Sequence, residues 1–228
     1  MNNYDTIIIG GGAAGFFTAI NLATFRPNST IAILERGKDV LTKVKISGGG
    51  RCNVTHAEFE PKPLTEHYPR GEKELLGPFH TFMTGDTMAW FEERGVALKI
   101  EEDGRIFPIS DSSQTIIDCF LSEVDRLGIQ VLRGQAVKQI VKHEDKWNII
   151  ASKETFSAKN VVIATGSNPK IWKLLKELGH TMIDPVPSLF TFHIDDPRIE
   201  SLPGVSTQAK VKVIDDSNKI VLESDGPL

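Results

Sequence analysis

Three glycines near the N-terminus, Gly10, Gly12 and Gly15, stand in the spacing G-x-G-x-x-G with Ala13 and Ala14 inside it, and an acid, Glu35, follows twenty residues after Gly15. These residue types at this spacing suit the binding of a nucleotide diphosphate. Gly10 turns the chain sharply out of an apolar run, Gly12 lets backbone approach a pyrophosphate, and Gly15 lets the next helix pack closely on that run. A helix starting there offers free N–H groups and a partial positive charge to phosphates. Glu35 is placed to accept hydrogen bonds from ribose hydroxyls. A tight turn beside an ordinary surface glutamate is the plainer alternative. The apolar runs on either side and the register of the acid weigh against it.

A second chemical segment follows, Lys43-Val-Lys-Ile-Ser-Gly-Gly-Gly-Arg-Cys-Asn-Val-Thr-His56. Three consecutive glycines free the backbone to run beside a ligand. Arg51 has the chemistry to pair with a phosphate, and Ser47 and Asn53 to reach a flavin ring edge. A third segment, Val161-Val-Ile-Ala-Thr-Gly166, carries an apolar run into a turn of small residues. It resembles the second FAD-contacting segment of two-dinucleotide-binding flavoproteins. Together the two segments favour FAD over NAD as the nucleotide held by the first.

The elements that must position these residues are legible around them. Tyr4 to Gly10 holds three successive isoleucines and reads as a strand buried on both faces; Ala13 to Phe25 reads as a helix and Thr30 to Leu34 as a second strand. That is one βαβ unit. Lys43 to Pro69 turns to glycine, proline and polar residues and reads mostly as loop. Thr87 to Arg94 reads as a helix. So does Ser112 to Arg126, where Ile116, Ile117, Phe120, Leu121 and Val124 mark one buried face and Gly128 a stop. Short strands follow at Val131–Leu132, Ala136–Val141, Trp147–Ala151, Thr155–Ser157 and Val161–Gly166, then a helix from Lys170 to Leu178. Beyond Pro187 the pattern turns β-rich, with strands at Leu189–Ile194, Ala209–Ile214 and Ile220–Glu223. The expected architecture is a doubly wound, mostly parallel α/β sheet over residues 1–187. The start of a β-rich domain follows over 188–228.

Composition bounds the function. Apolar residues at 40% support a real core, and a net charge of −4 argues against a dedicated nucleic-acid binder. The apolar runs are too short to span a bilayer, and no basic segment leads into an apolar stretch at the N-terminus. A cytoplasmic protein without a membrane partner is expected. Cys52 and Cys119 are not closely paired, so neither a disulfide framework nor a C-x-x-C site is expected. Histidines 56, 67, 80, 143, 180 and 193 show no metal-ligand spacing, and no metal is expected.

Ile46-Ser-Gly-Gly-Gly-Arg-Cys-Asn53, taken with the N-terminal glycine motif, resembles the BaiN-like family of bacterial NAD(P)/FAD-dependent oxidoreductases, also known as aminoacetone oxidase family flavoproteins. Asp103-Gly-Arg-Ile-Phe-Pro-Ile-Ser110, Ala164-Thr-Gly166 and Leu178-Gly-His180 match the same pattern, so the resemblance runs along essentially the whole chain. It implies a Rossmann-like FAD domain. It also implies FAD contacts from Gly10, Gly12, Ala13, Ala14 and Gly15, from Glu35 and Arg36, and from Lys43. Gly50, Arg51, Cys52 and Asn53 follow, with Ala164, Thr165 and Gly166 beyond them. Val137 is implied to meet the adenine through its backbone.

Two departures stand out. Many members continue past Ala-Thr-Gly with a glycine-rich stretch, whereas Ser167-Asn-Pro-Lys170 leads directly into a helix here. Family chains are also longer and return a C-terminal segment over the flavin, so a chain stopping at Asp225-Gly-Pro-Leu228 is expected to be a fragment. The expected function is FAD-dependent oxidation or reduction of a small molecule, with NAD(P)H as reductant. The rival is a dinucleotide-binding module without turnover. A flavin-dependent nucleic-acid modifier is disfavoured by the acidic balance. No residue is singled out as the catalytic acid or base. Cys52 as a redox thiol lacks a partner cysteine, and Cys119 reads as packing. Arg105, Phe107 and Pro108 suit a substrate pocket or an ordinary strand end equally.

Overall fold

The computed structural model describes residues 2–68, 70–185, 195–198, 200 and 207–227. They cluster into two units, Met1–Met182 and Ile183–Leu228. In the first unit the elements run β1 (Asn2–Ile9), α1 (Ala13–Phe25), β2 (Ile31–Glu35), α2 (Thr42–Ile46), a 3-10 turn (Ser47–Gly50), β3 (Thr55–His56), α3 (Pro61–Glu66), α4 (Glu72–Phe79) and α5 (Thr84–Glu92). They continue as β4 (Leu98–Ile100), β5 (Arg105–Pro108), α6 (Ser113–Arg126), β6 (Gln130–Arg133), β7 (Val137–His143), β8 (Lys146–Ala151), β9 (Thr155–Ile163) and α7 (Pro169–Glu177).

The main sheet has the order β6-β2-β1-β9-β8-β7. Pairs β6–β2, β2–β1 and β1–β9 are parallel, while β9–β8 and β8–β7 are antiparallel. The α/β class and Rossmann-like sheet thus stand as the sequence predicts. The parallel half is wound through helices. The other half is a meander, because the turn at Glu144, in the left-handed region at φ 52°, joins β7 to β8 too tightly for any crossover helix.

Strand alternation explains the two cores. Ile8 and Ile33 face α1, α5 and α6, where Phe16, Ile20, Trp90, Phe91, Ile116 and Phe120 are buried. Ile7, Ile9, Ala32 and Leu34 face the other way, toward Ile140, Ile149, Phe156 and Ile171. Ser112 caps α6 by accepting the Gln114 N–H at 3.3 Å.

Three local expectations are corrected. Of the stretch read as mostly loop, residues 43–68 hold most of α2, a 3-10 turn, β3 and α3. The Leu41 N–H donates to the Gly11 carbonyl at 2.8 Å and Val44 is buried, so tertiary contacts make a helix that composition hides. Thr155–Ser157 and Val161–Ile163 belong to one strand, β9, because β1 pairs along it from Phe156 to Ile163, and Ala164–Gly166 follow as the turn beyond its end. Helix α4 and the small antiparallel sheet β3-β5-β4 were not foreseen; α4 buries no residue and so has no apolar period to read.

In the second unit β10 (Gln208–Ile214) and β11 (Ile220–Pro227) form an antiparallel hairpin. Its turn is closed by Asp215, whose Oδ1 accepts the Ser217 and Lys219 N–H groups at 2.9 Å each. The expected strand Leu189–Ile194 lies outside the described residues.

Candidate nucleotide site

The site lies at the carboxyl ends of β1, β2 and β9, where a parallel sheet opens a crevice. Gly10 leaves β1 at φ +119°, and a Cβ there would run into the Ala164 carbonyl at the end of β9. A Cβ on Gly15 would meet the Gly10 carbonyl, so α1 lies on the turn as closely as backbone allows. Gly12 behaves differently. At φ −94° it is open to any residue, and a Cβ on it would touch nothing within 4 Å. It is the N-cap of α1 and supplies no side-chain cap, so the first N–H groups of the helix point into free space.

Glu35 closes β2 beside this turn. Its Oε2 accepts the Gly11 N–H at 2.8 Å and its Oε1 the Gly37 N–H at 2.7 Å. The carboxylate thus ties the glycine turn to the end of β2, and each oxygen keeps a further lone pair for a hydroxyl. Glu35 and Arg36 line a cavity of about 130 Å³ with Gln135, Val137, Thr165, Asn168 and Lys170. Gln135, buried at 4% exposure, was missed in the sequence. Its Nε2 donates to Glu154 at 3.1 Å and its Oε1 has no partner. A lone glutamine between two short strands carries no sequence signal.

On the other side of α1 lies a larger, apolar cavity of about 460 Å³. Ala13, Ala14, Lys43, Ser47, Cys52 and Asn53 form part of its wall, and Phe17, Phe82, Phe91, Ile116 and Phe120 line it as well. The aromatic residues come from three helices, α1, α5 and α6, and from the segment before α5, so only the fold brings them together.

The triple-glycine loop is strained and specific. Gly48, Gly49, Gly50 and Cys52 all have positive φ. A Cβ on Gly48 would stand 2.7 Å from the Asn53 nitrogen and 3.0 Å from the Phe107 ring. Asn53 turns its carboxamide nitrogen to the Thr55 and Ile106 carbonyls, which leaves only its oxygen for a ligand. Burial pushes the Cys52 thiol up, with a smaller opposing pull from its hydrogen bond to Ser47. It stays protonated at neutral pH, which does not suit a redox nucleophile. Burial also pushes the Cys119 thiol up to about 11, consistent with packing inside α6.

Arg51 departs from the expected phosphate partner. Its guanidinium forms a two-pronged pair with Glu101 at 2.8 and 2.9 Å, lies 3.3 Å from Asp111, and sits 3.8 Å over the Phe107 ring. The side chain is committed to β5 and its neighbours. Lys43 stands free: among the described residues it forms no ion pair, and its Nζ lies 3.8 Å from where a Cβ on Gly166 would be. No group of His, Cys, Asp or Glu among the described residues is arranged to hold a metal, and no described helix is long and apolar enough to cross a membrane.

A family model described as the HI0933-like protein Rossmann domain matches residues 4–219. Ribosomal RNA dihydrouridine synthase of Haemophilus influenzae is 27% identical over 229 residues, which cover 94% of this chain and 56% of that protein. The 3-dehydro-bile acid delta(4,6)-reductase of Clostridium scindens is 27% identical over 215 residues, 91% of this chain and 52% of that protein. The chain therefore spans a little over half the length of these relatives. Among solved structures, 3-ketosteroid-delta4-(5alpha)-dehydrogenase from Rhodococcus jostii RHA1 superposes with a TM-score of 0.56 at 14% identity, over 75% of this chain and 48% of that one. At that identity the likeness is one of fold.

Proposed function

The chain belongs to the HI0933-like Rossmann-domain family, and from that premise we propose that it is the FAD-binding part of an oxidoreductase acting on a small organic substrate, with NAD(P)H as reductant. One observation carries the reading: the uncapped start of α1 opens to free space at Gly12, between Glu35 and the Ala164–Gly166 turn. The residues fit the cofactor. Gly12, Ala13, Ala14 and Gly15 offer backbone N–H groups to the diphosphate. Glu35 and Arg36 face the ribose, Val137 the adenine, and the loop from Gly50 to Asn53 the flavin side. FAD supplies hydride transfer when bound.

The substrate class follows from the relatives' names. A delta(4,6)-reductase of a 3-dehydro bile acid and a dihydrouridine synthase both saturate a carbon–carbon double bond conjugated with a carbonyl. We assign that reaction class to the whole protein. The aromatic cavity of about 460 Å³ supports an apolar ring compound, and the narrower BaiN-like assignment leans on the C. scindens relative. The name of the H. influenzae relative favours a second reading, uridine in RNA. The net charge of −4 decides little against it, since it describes a chain spanning 56% of that relative. In either case a cytoplasmic location suits the reductant.

The test is the visible spectrum of the purified chain after FAD is added and the excess removed. Retained bands near about 370 and 450 nm, which are those of a bound flavin, are expected, with bleaching on addition of NAD(P)H. Return of colour without oxygen on adding a 3-oxo-4-ene steroid supports the small-molecule reading, and return only with uridine-containing RNA supports the other. A colourless chain that still binds ADP is the non-catalytic module.

A further inference from the structure

We propose that Gln135 is a specificity-determining residue for the nucleotide: its side-chain oxygen accepts a hydrogen bond from the exocyclic amine of adenine, so that the cavity beside Glu35 takes a 6-aminopurine in preference to a 6-oxopurine. This rests on the FAD reading above. Gln135 stands outside the contacts that the family resemblance implies, and three observations single it out.

The first is an acceptor without a donor. Gln135 is 4% exposed, and its Oε1 is shut from solvent with no hydrogen-bond partner, the one buried side-chain polar atom of this kind among the described residues. Folds seldom keep such an atom, because it has given up water and gained nothing in return. The second is its place. The Gln135 N–H donates to the Glu35 carbonyl at 2.8 Å, so the residue is pinned beside the end of β2. It lines the cavity of about 130 Å³ with Glu35, Arg36 and Val137, and Ile9, Leu34 and Ile171 give that cavity apolar wall for a flat ring. What the oxygen lacks is a donor, and the adenine amine carries two N–H groups. A contact at Val137 uses one of them and leaves the other.

The third observation is what fixes the amide. A carboxamide offers an oxygen at one corner and N–H groups at the other, so a free one reads either edge of a base by turning over. Gln135 is not free to turn. Its Nε2 donates to the Glu154 Oε1 at 3.1 Å, and turning would set its oxygen against that carboxylate. Glu154 is itself held, since its Oε2 accepts the Asn2 side-chain N–H at 2.9 Å. The oxygen therefore stays the group on offer. A base with a carbonyl in place of the amine would meet oxygen with oxygen. A site built on a buried acceptor rejects a ligand that leaves it unpaired.

The experiment is a fluorescence titration of the full chain with FAD and with its deaminated analogue, in which hypoxanthine replaces adenine, for the wild type, Q135L and E154Q. The wild type is expected to bind FAD about ten- to a hundred-fold more tightly than the analogue, the range of a buried hydrogen-bonding group left unpaired. Q135L should bring that ratio close to one, mainly by weakening FAD. E154Q, which lets the amide turn, should narrow the ratio from the other side, by tightening the analogue; it decides the matter should Q135L fail to fold. A merely structural role for Gln135 would weaken both ligands together and leave the ratio unchanged. A wild type that binds the two equally, or the wild-type ratio in Q135L or E154Q, overturns the assignment and leaves the FAD reading standing. A wild type that binds neither overturns the FAD reading first, and this one with it.

Discussion

Glu35 shows how a residue can be chosen correctly from sequence for a reason that covers half of its work. Type and spacing mark it as a ribose acceptor, but both of its oxygens already receive backbone N–H groups, from Gly11 and Gly37. Removing the carboxylate leaves two part-buried donors without an acceptor, at about 1–3 kcal/mol for each buried group left unpaired. Glu35→Ala should therefore lower unfolding free energy in urea by about 2–6 kcal/mol for the two donors together, even without any nucleotide, and Glu35→Gln, which keeps one acceptor oxygen, by less. If Glu35→Ala matches the wild type in urea, the carboxylate serves ligand alone. Arg51 is the converse case. Its fitness for phosphate is legible, but its partner within the fold, Glu101, lies fifty residues away on another hairpin. No local pattern records that pairing.

The β1-turn-α1 element was the most legible part of the chain, because its geometry is enforced by local sterics. The helix Ala13–Phe25 and the strand before it follow from apolar runs punctuated by glycine. The small sheet β3-β5-β4 and α2 were illegible, since they owe their form to tertiary hydrogen bonds and a buried Val44 rather than to period. Within the legible element the glycines now separate by role. Gly10→Ala meets both a φ of +119° and the Ala164 carbonyl, and should cost upward of about 1–3 kcal/mol in stability. Gly12→Ala meets neither obstacle, so its melting temperature should stay near that of the wild type. The added methyl enters the space at the start of α1, and FAD binding should be lost. Melting curves and FAD titrations of the pair check this. A Gly12→Ala chain that is unstable, or that binds FAD normally, removes the case for Gly12 as the point of closest approach.

At the scale of the whole chain, the shifted carboxylates among the described residues all lean one way. Hydrogen bonds and cations hold Asp5, Asp103, Asp111, Glu123, Asp196 and Asp215 below their ordinary values. A depressed carboxyl stabilises the fold above its unfolded pKa, and that contribution is lost as pH falls through the folded value. The protein should therefore hold its melting temperature at neutral pH and lose it below about 4, where unfolded aspartates begin to take up protons first. Asp5 is the strongest case. Its hydrogen bond from Lys159 is the largest cause of its low pKa, followed by the Thr30 N–H and hydroxyl. Those contacts, at 2.8 to 2.9 Å, join β1 to β9 and to the residue preceding β2. The Asp5 carboxylate is partly exposed and the Lys159 ammonium more so, so salt should weaken the Lys159 part and leave the Thr30 part standing. Asp5→Asn should melt below the wild type at neutral pH, and the gap should narrow steadily as pH falls from about 4 to about 2, as the unfolded wild-type aspartate takes up its proton while the folded one still resists it. Added salt should narrow the neutral-pH gap without closing it. A gap that stays constant across that range would mean that the contribution of Asp5 is packing rather than charge, and the acid limb of the whole molecule would then have to come from the remaining five carboxylates.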